Sequence, residues 1–373
     1  MNMSRFTPYL GIIAALLFGV FTLAFFGGVV SSPPPESALP ESPPSLSVAS
    51  PERHSSRTET SAATSAPATH KTPPKKPEKP VAAEVPAPAP VAAPSSSAGA
   101  LDAAASALRS ALVNILCYVP SGSGLHSISG SGVMIDPKGV ILTNAHIAQY
   151  FLLADRGVSC TIRAGTPAAD RYRAALAYIS PSWVSANARV IAQIEPTGTG
   201  EYDFALLAIT KSATSAPLPQ TFPSVPLALT PPSEGTPVVI ASYGAQFLTA
   251  DQIQSSLFPT IVFGLVKGVF TFATNTVDVF ALGGSAAAQE GSSGGGVASA
   301  SGELVGTITT STIKGATETR ALDAITASYI RAAYAGETGR ALDVLLAGPI
   351  SAVITEFSLR IPALEAVLVA QLP

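Results

Sequence analysis

Between about residues 112 and 310 the chain is built from short apolar runs, each closed within a few residues by Gly, Pro, Asn or Ser. The runs are VNILCYV, SGVMI, GVILT, VSCTIR, YRAALAYI, ARVIAQI, FALLAI, PVVIASYG, TIVFGLV, VDVFAL, GVASA and ELVGTIT. β-branched residues dominate them, and breakers at this density predict an all-β sandwich or barrel rather than βαβ units. Many of the runs are apolar on both alternating faces, as strands around a filled barrel interior are. A helix-patterned segment, LDAAASALRSAL, leads into the first run. From Leu322 onward the pattern turns helical again, first in LDAITASYIRAAY and then through residues 341–372 with a break at Pro349. The β region with its first following helix is expected to span residues 101–337, and residues 338–373 form a helical extension.

The first hundred residues follow neither period. Leu10–Val30 is uncharged and apolar, about the length that a membrane-spanning helix needs (~20 residues). Arg5 precedes it and Glu36 and Glu41 follow, so the positive-inside bias places the N-terminus in the cytoplasm and the rest outside. Residues 1–30 are therefore expected to form a signal anchor, the run being longer than the ~7–15 apolar residues of a cleaved signal peptide. Residues 31–100 hold about half of the chain's 33 prolines and almost no large apolar side chain. Such a segment buries too little surface to offset its ordering entropy, so a disordered, extended stalk is expected.

Composition narrows the function. The net charge of −3 gives no electrostatic reason for a nucleic-acid partner. Cys117 and Cys160 are the only cysteines and fall in predicted strands on either side of His146. Outside the cytoplasm they are expected to pair, the alternative being two buried thiols. No further Cys or spare His stands near them, so neither a metal site nor a cofactor is expected.

The stretch AQEGSSGGGVASASG, residues 288–302, reads at first as a flexible spacer. Its Gly291-Ser292-Ser293-Gly294-Gly295 also fits a nucleophile elbow, but that fold needs a histidine after the serine, and the last one in the chain is His146. The order His, Asp, Ser is present instead. GVILTNAHIAQY sets His146 just past a predicted hairpin, GTGEYDFALLAI sets Asp203 at the mouth of an apolar strand, and EGSSGGGV carries Ser293. A serine hydroxyl becomes a useful nucleophile only when a neighbouring imidazole accepts its proton. His146 would be that base and Asp203 would fix its tautomer. Gly291 would allow the backbone turn that aims its N–H and that of Ser293 at one oxyanion. Gly294 and Gly295 would let the following strand run close to a bound chain.

These three stretches resemble the trypsin/chymotrypsin-like serine proteases, and within them the bacterial HtrA-type branch, whose pattern this chain's GSGVMIDPKGVILTNAH matches almost position by position. The resemblance covers roughly residues 112–310. It implies two six-stranded antiparallel β-barrels and a polypeptide substrate cleaved through His146, Asp203 and Ser293. It also implies a primary pocket with Ala287 at its base and a wall near Thr309 and Thr310, without the acid that would pair with a Lys or Arg side chain. Cleavage after small or medium apolar residues is therefore expected. Ser292 stands where trypsin-like enzymes carry the acid that pairs with a new N-terminus, so that activation switch is not expected. No segment suggests a PDZ domain. The competing class is a protease-like barrel that binds peptides or wall components at the cell surface without cleaving them.

Overall fold

The computed structural model describes residues 96–193, 198–273, 275–311 and 315–372. The expected anchor at Leu10–Val30 and the stalk up to residue 95 lie outside these residues, whereas residues 96–100, expected as the end of the stalk, form the first turn of a helix. Among the described residues no helix is long and apolar enough to cross a membrane.

Helix α1 (Ser96–Ala111) turns Ala104, Leu108 and Ala111 inward at helical spacing and runs directly into the first strand. Strands β1 (Leu112–Tyr118), β2 (Ile128–Asp136), β3 (Val140–Thr143), β4 (Ser159–Ala164), β5 (Ala169–Ile179) and β6 (Ala205–Ser212) close a barrel in the order β1-β2-β3-β6-β5-β4. The expected six-stranded first barrel is therefore present, and it is filled by unbroken apolar runs such as Val140–Leu142 and Phe204–Ala208.

The second sheet differs from expectation. It contains seven strands, in the order β8-β7-β11-β12-β13-β10-β9, and is open rather than a closed six-stranded barrel. Its members are β7 (Pro237–Ser242), β8 (Thr260–Leu265), β9 (Gly268–Phe270), β10 (Val279–Ala281), β11 (Gly296–Ser299), β12 (Leu304–Ser311) and β13 (Leu322–Thr326). The opening has a local cause. β8 and β9 are one run bent at Val266 and Lys267, whose amides donate in turn to Thr236 O on the β7 side and Ala281 O on the β10 side. The chain wraps the sheet round on itself, but its two edge strands are consecutive halves of one segment and form no ladder with each other.

Two local expectations fail for related reasons. ARVIAQI was expected as a strand, but Ala188–Ala192 is a 3-10 turn continuing a helix that starts at Pro181 and is capped by Ser180 Oγ. Its apolar residues Val190 and Ile191 are buried all the same. Leu322 was expected to open a helix, but Leu322–Thr326 is a strand. The helix begins only at Ala327, where Thr326 Oγ1 accepts the Tyr329 amide.

The C-terminal helices, Leu342–Ala347, Ile350–Ser358 and Ile361–Val369, bury Leu345, Phe357, Leu364 and Leu368. Phe357 meets Tyr178 of β5, ring centroids 6.0 Å apart. The Tyr178 hydroxyl donates to Glu337, which also accepts from Ser180 Oγ and the Ser182 amide. Burial and the adjacent carboxylate hold the Tyr178 phenol far above its usual range, so it is a permanent donor. Cys117 and Cys160 lie directly opposite each other on β1 and β4 and form the expected disulfide.

Candidate active site

Strand pairing alone brings the histidine and the aspartate together. β3 and β6 are antiparallel, with Thr143 opposite Ala205, so the residues just after β3 and just before β6 meet at one end of the barrel. Asn144 starts a short helix there, Ala145–Ala148, which carries His146. Its side-chain amide donates to Asp203 O at 2.8 Å. The Asp203 carboxylate receives His146 twice, from the backbone amide to Oδ1 at 2.9 Å and from Nδ1 to Oδ2 at 2.8 Å. Both oxygens are thus used to fix the imidazole, leaving Nε2 facing away from the carboxylate. Asp203 is only 5% exposed. The residue before it, Tyr202, adopts a left-handed backbone conformation (φ 55°), and its amide is held by the Tyr329 hydroxyl at 3.0 Å. Strain at such a position is of the kind that sites use to aim a neighbouring side chain.

The other half of the site comes from the open sheet. The loop from Gln289 to Gly295 leads into β11, and four successive peptides of it are tied down. Ala245 N–H donates to Glu290 O at 2.7 Å, Ser131 Oγ to Gly291 O at 2.7 Å, Gly295 N–H to Ser292 O at 2.9 Å, and Ser131 N–H to Ser293 O at 2.8 Å. In a trans peptide the carbonyl and the next amide point in opposite directions. Fixing the carbonyls of Glu290 and Ser292 therefore fixes the N–H groups of Gly291 and Ser293. Among the described residues neither of those amides donates to any acceptor. Backbone donors are left unpaired only rarely, and here the two are the serine's own and that of the residue two before it. Gly291 has φ +87°, and a Cβ there would come within 2.8 Å of Tyr243 O.

His146, Asp203, Gly291, Ser293 and Thr309 line one cleft. No hydrogen bond joins Ser293 Oγ to the imidazole in this structure, an arrangement that often tightens only when substrate binds. Ser292 is buried and its Oγ accepts the Ser242 hydroxyl at 3.0 Å. Asp278 is engaged elsewhere, accepting from Thr271, Phe272 and Thr276 at a turn. Among the described residues no group of His, Cys, Asp and Glu could hold a metal ion.

Residues 130–306 match the family model of the trypsin-like peptidase domain. This segment is a trypsin-like peptidase domain. The chain is similar, at 20% identity, to the active form of the Rv3671c protease from M. tuberculosis, over 73% of this chain and 95% of that one, with a TM-score of 0.41. The inactive form of the same protein matches at 18% identity over 65% and 96%, with a TM-score of 0.39. No curated protein matches.

Within the peptidase domain the pocket residues are distributed differently from the sequence pattern. Ala287 is fully buried and is not part of the cleft lining, which instead includes Ala321 and Asp323, beside and on β13. Asp323 stands opposite Thr310 in the β12–β13 register. Thr309 faces inward, and its hydroxyl donates to Asp203 Oδ2 at 2.9 Å, a link from the open sheet to the barrel's carboxylate. Sequence reading placed Thr309 in a pocket wall and gave no hint of this bond.

Arg320 was also missed. Buried at 5% exposure, its guanidinium donates to Ala288 O, Gly315 O and Gln246 Oε1, holding the segment before the serine against two neighbouring loops. A lone arginine after a Gly-containing loop has no sequence signature for such a task. Tyr150 at the cleft edge donates to His126 O at 3.0 Å, and burial pushes its phenol up to about 12, so it stays protonated near neutral pH.

Proposed function

We propose that the chain is a membrane-tethered, extracytoplasmic serine endopeptidase of HtrA-like type, working through His146, Asp203 and Ser293. The observation that carries this reading is the coincidence in one cleft of an aspartate-held imidazole, a serine, and two undonated backbone amides, that serine's own and the one two residues before it. Ser293 Oγ attacks the scissile carbonyl as His146 Nε2 takes its proton. The carbonyl oxygen becomes an oxyanion facing the N–H groups of Gly291 and Ser293. Collapse breaks the C–N bond, and the proton on His146 passes to the leaving amine. Water, deprotonated by the same imidazole, then attacks the acyl ester, and the imidazolium passes that proton to Ser293 Oγ as the acyl C–O bond breaks and the acid product departs.

A membrane-impermeant fluorophosphonate added to intact cells producing the chain tests both parts. Labelling of a membrane-bound species without lysis is the expected result. Labelling only after lysis overturns the orientation, and absence of labelling in the lysate overturns the peptidase reading in favour of a binding module.

The cleft also bears on substrate class. Its lining includes the carboxylates of Glu201, Asp203, Glu290 and Asp323, and no Lys or Arg among the described residues. Like charges brought together at an interface cost several kcal/mol. Peptides with Asp or Glu beside the scissile bond should therefore be cleaved at least about tenfold more slowly than neutral ones. Small or medium apolar residues remain the expected preference before that bond. A mixed peptide library reads both: equal rates for acidic peptides overturn the charge argument, and a dominant Lys or Arg preference assigns the pocket floor to Asp323.

A further inference from the structure

We propose that Ser131 is a positioning residue that sets the nucleophile loop of the open sheet against the barrel bearing His146. This inference rests on the peptidase reading of the cleft. Ser131 lies in β2 of the closed barrel and is fully buried. Every polar group it has is engaged, and each bond leads toward a different part of the site. Its hydroxyl donates to Gly291 O at 2.7 Å and accepts the Tyr243 amide, at the end of β7, at 2.8 Å. Its backbone amide donates to Ser293 O at 2.8 Å. Its carbonyl accepts the hydroxyl of Thr143, three residues before His146, at 2.7 Å.

A continuous path of hydrogen bonds therefore runs from the strand that delivers the base, through this one residue, to the peptides on both sides of the nucleophile. The hydroxyl is oriented as well as placed. Accepting from Tyr243 N–H commits one lone pair, and the proton is directed at Gly291 O. The peptide thus held, Gly291–Ser292, joins the residue supplying one oxyanion donor to the residue preceding the nucleophile. Replacing the hydroxyl by hydrogen leaves two buried backbone groups without a partner, Gly291 O and Tyr243 N–H. Such groups recover a partner by moving, and Gly291 O belongs to the same loop as the two undonated amides. The expected consequence is displacement of the Gly291 and Ser293 amides from the oxyanion position, with the substrate-binding surfaces unchanged. A displacement on the order of 1 Å at a reacting centre costs up to about 10²-fold in rate.

The test compares the parent, Ser131→Ala and Ser131→Cys, with Val133→Ala as a control that opens a core cavity in the same strand without removing a hydrogen bond to the loop. For Ser131→Ala we expect kcat to fall about 10- to 100-fold with KM within about threefold. Affinity for a peptide aldehyde, which forms an oxyanion on Ser293, should fall in parallel. Affinity for the cleaved product peptide should not change. Ser131→Cys should lie between the parent and Ser131→Ala, and Val133→Ala should lower the melting temperature while keeping kcat. Ser131→Ala within twofold of the parent kcat overturns the proposal, as does a loss confined to KM or an equal loss in Val133→Ala. If Ser131→Ala does not fold, the same criteria apply to Ser131→Cys. A parent that neither cleaves nor labels sinks the peptidase reading instead. The positioning claim is then read from hydrogen exchange of the Tyr243 amide, which should speed up at least tenfold in the variant and refutes the claim if it does not.

Discussion

Ser293→Ala is expected to lower kcat/KM on an unstructured peptide by about 10⁴-fold or more, and to abolish fluorophosphonate labelling. Its melting temperature should hardly move, because Ser293 Oγ makes no hydrogen bond among the described residues. His146→Ala should lose activity to a similar order. The double variant should be little worse than either, since residues that act as a unit are non-additive. Asp203→Asn should lose about 10⁴-fold, because an amide facing Nδ1 favours the wrong tautomer. Ser292→Ala is the informative neighbour. Its hydroxyl is buried against Ser242 and turned away from the cleft chemistry. It should cost about 1–3 kcal/mol of stability for the donor left unpaired, and leave labelling intact. Loss of labelling in Ser292→Ala but not in Ser293→Ala would exchange the two assignments. Loss in neither would remove both from the chemistry.

The parts of this site legible in sequence are those where local chemistry has few alternatives. A glycine-flanked serine following, in order, a histidine past a hairpin and an aspartate before an apolar strand leaves little else to propose. The register of β3 and β6 puts the histidine and the aspartate at the same barrel end. Cys117 and Cys160 were legible for the same kind of reason, two half-cystines in strands around one loop. What sequence did not disclose depends on contacts between the sheets. Ser131 and Thr309 look like ordinary strand residues, and only the packing of barrel on sheet turns their hydroxyls toward Gly291 and Asp203. The extra strand β9 was missed because Gly268, directly after the bend at Val266 and Lys267, reads as the end of the run, whereas Gly268–Phe270 continues it as a strand. Leu322–Thr326 was misread because its apolar residues suit either period, and only the Thr326 cap fixes where the helix starts.

Gly294→Ala is expected to be strongly disruptive, both to the fold and to the candidate site. Glycines here were first explained by close approach of a substrate, but the structure gives Gly294 another task. Its missing Cβ would lie 2.0 Å from Ser131 O and 2.5 Å from Thr143 Oγ1, so the approach it permits is to the barrel. The residue also has φ +84°, which costs a non-glycine residue about 1 kcal/mol. Neither side can easily yield. Ser131 O is held by Thr143, and the loop is held by Gly294 N–H on Ile308 O and by Ser131 N–H on Ser293 O. Overpacking against fixed backbone adds about 1–3 kcal/mol or more, a large part of the ~5–15 kcal/mol by which a folded domain is stable. Gly302→Ala separates the two contributions, because Gly302 has φ +79° but nothing within 4 Å of its Cβ position. At about 2–4 °C per kcal/mol for a domain of this size, Gly302→Ala should melt only a few degrees below the parent in detergent. Gly294→Ala should melt about 10 °C lower or fail to fold, and any folded fraction should label at least about 10²-fold more slowly, because relief of the clash moves Ser293. If Gly294→Ala melts within about 2 °C of Gly302→Ala and labels at the parent rate, the loop is not wedged against β2, and the close approach of sheet to barrel at this point is wrong.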